Sequence, residues 1–418
     1  MITNLALFEH PSHVDLLYPF SILHLPWELR FGALTIIETW QKLCGATVIG
    51  CFGREENLAS FYARFPEYRA QQLGVGNVLL VSSRLVPTKS VVKQLREHVD
   101  LHRAVAFTVH GELVAVSLPI TTWDQLSLEQ WSDVEQLHQQ HQWQTVELPT
   151  ARLLGYLWEM LDVQASAIAE QFEFFTDATI HQSDFASAQV AALDAESIAV
   201  GEHSSIAPFV VLDATRGPII IGNHVTIMPH VTIIGPCAIG DHSTIKAGAK
   251  IYANTSIGRW CKVGGELDSS IFQDYSNKQH NGFVGHSIIG EWVNLGADTN
   301  TSNLKNTYRP ISIELPSGRI VTGRTFLGLL CGDHTKAGIN TMFTTGTVTG
   351  VCANVFGAGY TPPVIPSFTW GGIQEHRRWS IEAAVDTARR AMLRRNRTLL
   401  PEEEALLRAE FERVAHTP

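Results

Sequence analysis

At 418 residues the chain is long enough for two domains with separate cores, and its 45% hydrophobic and 17% charged residues are those of a soluble globular protein. A formal net charge of −10 argues against general nucleic-acid binding, which needs clustered basic residues, but leaves room for a locally basic site for a small anion. No apolar run approaches the roughly 20 residues of a transmembrane helix, and no Lys or Arg precedes Arg30 to make the charged start of a signal peptide. A cytoplasmic protein touching neither membrane nor nucleic acid is therefore expected.

Along the first part, Leu5 to Phe8, Thr47 to Phe52, Val78 to Ser82 and Val105 to Val109 read as short strands. Helical stretches at Ala33 to Leu43, Thr88 to His98 and Leu126 to Gln140 alternate with them, which predicts an α/β domain with a mostly parallel sheet. Residues 151–175 read as a connecting helix, so the first domain is set at 1–175.

From Ile221 every sixth residue is Ile or Val: Ile221, Ile227, Ile233, Ile239, Ile245, Ile251, Ile257 and Val263. Two residues before each stands a small or apolar residue, Cys237 and Cys261 among them, which reads as reduced core thiols. Neither strand alternation nor helical spacing gives a strict period of six. A left-handed parallel β-helix does, because one short strand plus its corner uses six residues and three such sides close a coil. Gly222, Gly240 and Gly258 follow inward aliphatics, where the corner tightens. His224, His230 and His242 share one phase and are expected outside, near turns. Ile289, Leu295, Ile339 and Val351 are expected to resume the ladder, and a Pro-Ser-Gly turn within Asn303 to Thr325 predicts a β-hairpin excursion. Burying each aliphatic contributes about 1.5–3 kcal/mol. Ordering each residue costs about 1–2 kcal/mol, and six are ordered per ladder position. The ladder needs coil hydrogen bonds and a covered flank besides; neighbouring subunits are the expected cover. The β-helix is set at 176–366. A helical tail is set at 367–418, its Arg389 to Arg397 cluster lying on a solvated or subunit-facing surface.

An α/β domain followed by such a β-helix resembles the bifunctional sugar-1-phosphate nucleotidyltransferase/acetyltransferases, the GlmU-like family. Asn294-Leu-Gly-Ala-Asp-Thr-Asn-Thr-Ser-Asn303 looks like its N-x-G-A-x-T-x-x-x-N stretch, and Gly332-Asp333-His-Thr-Lys-Ala-Gly-Ile-Asn340 like its continuation. Leu16-Leu-Tyr-Pro-Phe-Ser and Glu28-Leu-Arg-Phe-Gly-Ala-Leu-Thr-Ile extend the likeness to the first domain. The resemblance implies a CoA-dependent acyl transfer to an amino-sugar phosphate, with acetyl-CoA as co-substrate, in a homotrimer. His280 falls where the family has its catalytic His, and Glu266, fourteen residues earlier, where it has the paired Glu. Lys246, Lys278, Phe283, Asn294 and Asn303 are the implied substrate contacts in this domain; Phe283 replaces a Tyr. The chemistry suits the set: an amine attacking a thioester must lose a proton to a base near neutrality, and a carboxylate on the other ring nitrogen steadies the imidazolium. A zinc enzyme of the γ-carbonic-anhydrase kind would instead need three His, and His280, His286 and His334 are the candidates.

The family's nucleotidyl half, which serves UDP-N-acetylglucosamine synthesis, uses a Gly-rich loop to cradle the triphosphate and Asp residues for Mg²⁺. No such loop occurs; Leu23-His24-Leu25 stands where the divergent branch has Thr-Arg-Pro, and Ser82-Ser83-Arg84 where it has Asn-Ala-Arg. Arg30 and Arg84 are the phosphate-binding candidates, Mg²⁺ would serve this domain if it is active, and uridylyl transfer is expected to be weak or absent. A non-catalytic, trimeric sugar-nucleotide-binding scaffold is the alternative of another class.

Overall fold

The computed structural model describes residues 2–69, 76–123, 133–178 and 189–415. In the first part, β1 (Ile2–Phe8), α1 (Ile36–Cys44), β2 (Thr47–Phe52), α2 (Glu55–Arg64), β3 (Asn77–Ser82), α3 (Lys89–Glu97), β4 (Val105–Val109), β5 (Glu112–Pro119), α4 (Val134–His141), β6 (Gln144–Glu147) and α5 (Met160–Gln171) follow in order. The strands form one sheet ordered β2-β1-β3-β5-β4-β6. It is parallel except at β5, which runs antiparallel to β3 and β4. Strand β5 is absent from the sequence-based reading. It returns from β4 through His110 and Gly111, both at positive φ (52° and 81°), a two-residue hairpin turn whose twist matches the flanking strands. Helix α1 starts on a capping box of Thr35 and Glu38 and ends on Gly45 at φ 59°, burying Ile36, Ile37, Trp40 and Cys44 against the sheet. Of the expected helix Leu126 to Gln140, residues 124–132 lie outside the described residues.

The second part is a left-handed parallel β-helix of three faces. The first face stacks nine strands from Ile198–Val200 to Val364–Ile365, and the second ten, from Ser205–Ile206 through Thr369–Gly372 to His376–Arg378. The third holds six strands from Ala191–Leu193 to Phe283–Gly285. The ladder from Ile221 to Val263 points inward and is at most 2% exposed. Gly222, Gly240 and Gly258 have no room for a side chain, because a Cβ there would lie 2.3–2.7 Å from the next coil's corner. His224, His230 and His242 sit outside at turns with φ of 55–62°. A hairpin of Ser312–Leu315 and Gly318–Val321 fills the expected excursion.

Two ladder expectations are corrected. Ile339 is 72% exposed, two residues past the true inward residue Ala337, and Val351 is buried outside the coil against the tail. The covered flank is also found within the chain itself. On the first face most outward side chains are apolar too, and Ile220 and Ala238 pack on Ile168 of α5 and Phe172 just after it. Ile271, Ile288, Leu330 and Val348 join the first domain's core. Over the later coils, α6 (Ile381–Leu393) and α7 (Pro401–Ala415) cover Trp292, Val351, Cys352 and Phe368. No described helix is long and apolar enough to cross a membrane.

Candidate functional site

The regular coils use eighteen residues, since Ile221 pairs with Ile239 and Ile239 with Ile257. The next uses fifteen, Ile257 pairing with Phe272. The missing residues come mostly from the corner between the second and third faces, reduced there to Gly264 and Gly265, the latter at φ 75°. On the following coil this corner regains the regular four residues, Gln279, His280, Asn281 and Gly282, and so bulges relative to the two-residue corner on which it stacks. The candidate residues gather around this irregular corner.

His280 projects from it exposed to solvent, while Glu266 opens the third-face strand that follows Gly265 and pairs in register with Phe283. The Glu266 amide donates to the Gly282 carbonyl at 3.1 Å, so both residues flank one corner, though no hydrogen bond joins their side chains. Lys250, in register with Glu266 on the preceding coil, lies 3.8 Å from its carboxylate and is a cation that the sequence reading missed. Farther along the face, Asn303 contacts the His286 ring at 3.0 Å, and His286 stacks on Phe326. Burial lowers the His286 pKa, and Asp268 pulls it the other way.

Lys246 and Asn294 lie on the other side of the corner, toward the second face. There Lys262 pairs in register with Asn277, and Asn277 with Asn294. Arg395, just past α6, donates to Asn277 Oδ1 at 2.8 Å. Burial and the like charges of Arg395, Lys246 and Arg394 hold the Lys262 amine below its ordinary value. Arg395 belongs to the expected surface cluster, but it is half-buried against the β-helix; Arg389, by contrast, pairs with Glu404 of α7. The spacing of the tail carried no signal for this contact.

Three expected phosphate or substrate contacts are placed elsewhere by the structure. Lys278 is fully buried in the ladder, between Val263 and Leu295. Its Nζ donates to the carbonyls of His280 (2.7 Å), Asn281 (3.1 Å) and Gly264 (3.2 Å), so it reaches no substrate. Arg30 is spent on Asp274 (3.0 Å) and the Ala33 carbonyl (2.7 Å), where it pins the first domain to the β-helix. Arg84 follows β3 at the carboxyl edge of the sheet, where α/β proteins bind ligands. Its guanidinium is held by the Leu154 carbonyl, by Glu112 (both 2.7 Å) and by His13 (2.6 Å). Burial, then the Arg84 charge, lowers the His13 pKa to about 4. Arg54 at the same edge is bound by Glu9 and by the carbonyls of Ser21 and His24. The groove there, of about 580 Å³, is lined by Asp15, Glu55, Glu56 and Glu410 besides Arg54 and Arg413, a poor setting for a triphosphate. The donor set does not fit Mg²⁺ either: Glu9 and Glu112 are committed to arginines, and no group of three described side chains is placed to hold a metal. The three histidines of the zinc alternative do not converge: His280 is exposed, His286 faces Asn303, and His334 is buried beside Trp292.

The chain thus joins a sheet domain to a hexad β-helix with an irregular corner on the latter. Residues 5–180 match the family described as sugar nucleotidyl transferase, and residues 218–253 match the bacterial transferase hexapeptide family of six repeats. In architecture the chain is similar to the GlmU proteins, with a part that matches the sugar nucleotidyl transferase family followed by hexapeptide repeats. It is 33% identical over 97 residues to the bifunctional sugar-1-phosphate nucleotidylyltransferase/acetyltransferase of Sulfurisphaera tokodaii, covering 23% of this chain and 24% of that protein. It is 33% identical over 116 residues to the bifunctional protein GlmU of Methanocaldococcus jannaschii, covering 28% and 26%. An uncharacterized acetyltransferase of Escherichia coli, YaiX, is 28% identical over 149 residues, covering 35% and 65%. The matched segments thus span about a quarter of the length of the two bifunctional relatives.

Proposed function

We propose that the β-helix is a CoA-dependent N-acyltransferase acting on an amino-sugar phosphate or nucleotide sugar, in a homotrimer whose neighbouring subunit closes the site. His280 serves as general base and Glu266 as the carboxylate that orients it when a substrate and a second subunit enclose the corner. Lys250 on one flank and Lys246 with Lys262 on the other supply phosphate contacts; Phe283, Asn294 and Asn303 complete the substrate surface. Acetyl-CoA is the donor, and His280 takes the proton from the attacking amine as the C–N bond forms and CoA leaves as the thiol. The observation that carries this reading is the gathering of His280, Glu266 and Phe283 beside the corner where the hexad loses two residues, with cations on both flanks. The first domain serves mainly as support, because the arginines at its sheet edge are already engaged.

The test is acetyl-CoA consumption with glucosamine-1-phosphate and a panel of amino-sugar phosphates, alongside pyrophosphate release from UTP and N-acetylglucosamine-1-phosphate. His280→Ala should cut acyl transfer by roughly 10²–10⁴-fold with the fold and assembly intact. Wild-type turnover in that variant would remove His280 from the mechanism. Pyrophosphate release at ordinary enzyme rates, about 1–1000 per second, would restore the first domain as a catalyst.

A further inference from the structure

The ladder position between Val263 and Leu295 should hold an aliphatic residue, yet it holds Lys278, which is completely buried. An ammonium inside an apolar coil is costly unless it is fully hydrogen-bonded, so its partners show what the position is for. They are three carbonyls from two stacked corners. Gly264 O belongs to the corner leading into Glu266; His280 O and Asn281 O belong to the bulge that carries His280. One ammonium therefore ties the backbone of the proposed base to the backbone just ahead of its carboxylate. The reason lies in the fifteen-residue coil. Stacking a four-residue corner on a two-residue one leaves the Gly264 and His280 carbonyls with no described backbone amide to meet, while the Asn281 carbonyl also accepts the Asp298 amide at 3.0 Å.

A second observation concerns the same point. A Cβ on Gly265 would lie 2.8 Å from Lys278 Nζ, 2.9 Å from the His280 carbonyl and 2.6 Å from the Gly282 carbonyl, so the glycine leaves the space that the ammonium and the bulge share. Burial holds the Lys278 amine down at about 8, and Asp298 on the next coil is the one charged neighbour that opposes it.

We propose that Lys278 is a positioning residue: its ammonium fixes the bulge bearing His280 against the corner bearing Glu266, and so sets the geometry of base and carboxylate. This rests on the acyltransferase reading above. It assigns Lys278 to no contact with substrate.

The experiment compares full-length wild type with Lys278→Met, Lys278→Arg, Gly265→Ala and His280→Ala. The readouts are kcat, KM, the pH–rate profile, thermal stability, and backbone hydrogen exchange over residues 279–282. Lys278→Met keeps the side-chain length without the charge. It should lower kcat about 10–100-fold, as misplacement by about an ångström does. KM for both substrates should stay within about twofold, the acidic limb that depends on His280 should shift, and exchange in the bulge should rise. Lys278→Arg, which still donates to carbonyls, should recover part of kcat; Gly265→Ala should resemble Lys278→Met. If Lys278→Met does not fold, Lys278→Gln, which keeps two N–H donors, takes its place with the same expected direction. A Lys278→Met enzyme that melts earlier but keeps kcat and the acidic limb overturns the proposal and leaves a purely structural lysine. Where His280→Ala is silent, the catalytic reading has failed, and exchange alone decides the positioning: unchanged exchange across 279–282 overturns it.

Discussion

The sharpest stability prediction concerns Asp333, at a junction of all three parts of the chain. Its carboxylate is 1% exposed, and Oδ2 lies 2.8 Å from Nε2 of His24 in the first domain. The other ring nitrogen of His24 faces Glu28 at 3.2 Å, and Glu28 in turn holds Arg64, which Glu403 of α7 approaches. The second oxygen of Asp333 accepts the Glu291 amide at 2.6 Å. Asp333→Asn preserves size and can satisfy one of these two donors, but it removes the charge and sets an amide against the other. Breaking a buried pair costs about 3–5 kcal/mol. Because Glu28 still faces His24, a loss of about 2–4 kcal/mol is expected. A double-mutant cycle with His24→Gln should show about 1–3 kcal/mol of coupling. Urea unfolding, followed by tryptophan fluorescence and by circular dichroism, measures both quantities.

The pH dependence fixes the mechanism further. Despite the desolvation that opposes it, the Asp333 and Glu28 carboxylates raise the His24 pKa well above its ordinary 6.5. Its stabilisation is therefore complete below about 6.5 and fades as pH rises through the raised value. The Glu28 carboxyl, held down to about 2 by Arg64 and His24 against its burial, contributes fully above about 4.5 and fades as pH falls toward 2. The knot is strongest between about pH 4.5 and 6.5, so the Asp333→Asn penalty should be larger at pH 5.5 than at pH 9. A variant within about 0.5 kcal/mol of wild type at pH 5.5, the range of an ordinary surface change, would refute the reasoning.

Two further outcomes test the packing and the electrostatics. Burial lifts the Glu291 carboxyl to about 8, with Asp274 and Asp333 adding to the shift while His24 and Arg64 oppose it. The native state thus keeps a proton that the unfolded chain releases near 4.5, and stability falls as pH rises from 4.5 to 8. Glu291→Gln should add on the order of 1–3 kcal/mol at pH 9 and nothing at pH 4, by the same denaturation assay. Ile257→Ala, in the middle of the ladder, should cost about 2–5 kcal/mol through the cavity it leaves. Ile339→Ser, although a hexapeptide count includes Ile339, should stay within about 0.5 kcal/mol because that side chain is 72% exposed.

How far the sequence could be read depended on whether one residue's environment repeats in the next coil. From Ile221 to Val263 it does, and a periodic count finds every inward position. Beyond Val263 the corners lose residues, the phase slips, and the count assigns Ile339 and Val351 to a ladder they do not join. Phe272 and Leu267, which do join it, fall at spacings no strict hexad includes. The doubled aliphatics Ile219-Ile220-Ile221 and Ile288-Ile289 did carry a legible signal, since a strand apolar on both sides must be covered on both sides. It was the identity of the cover, the first domain of the same chain, that no local pattern could reveal. For the site, the family resemblance pointed to His280 and Glu266, which the fold sets beside one corner, whereas Lys250 is found only by register. Lys278 shows the opposite limit: lysine is so seldom fully buried that the sequence reading took it for a substrate contact.

The placement of the charged groups also bears on where chemistry can occur. For Arg54 or Arg84 to take a phosphate, each must give up a carboxylate and one or two carbonyls that now satisfy it in a largely dry setting. Since a charge-assisted bond is worth about 1.5–3 kcal/mol, the exchange gains little unless the whole sheet edge rearranges. Lys246 and Lys262 have no described carboxylate in ion-pair range, and Lys250 has only a solvent-exposed contact with Glu266 at 3.8 Å, which costs almost nothing to break. An arriving anion there also relieves the mutual repulsion of Lys262, Lys246, Arg394 and Arg395. Compared with the sheet edge at Arg54 and Arg84, this surface gives up less to take an anion. It borders the corner that carries His280, which is where the proposed acyl transfer needs a phosphorylated substrate.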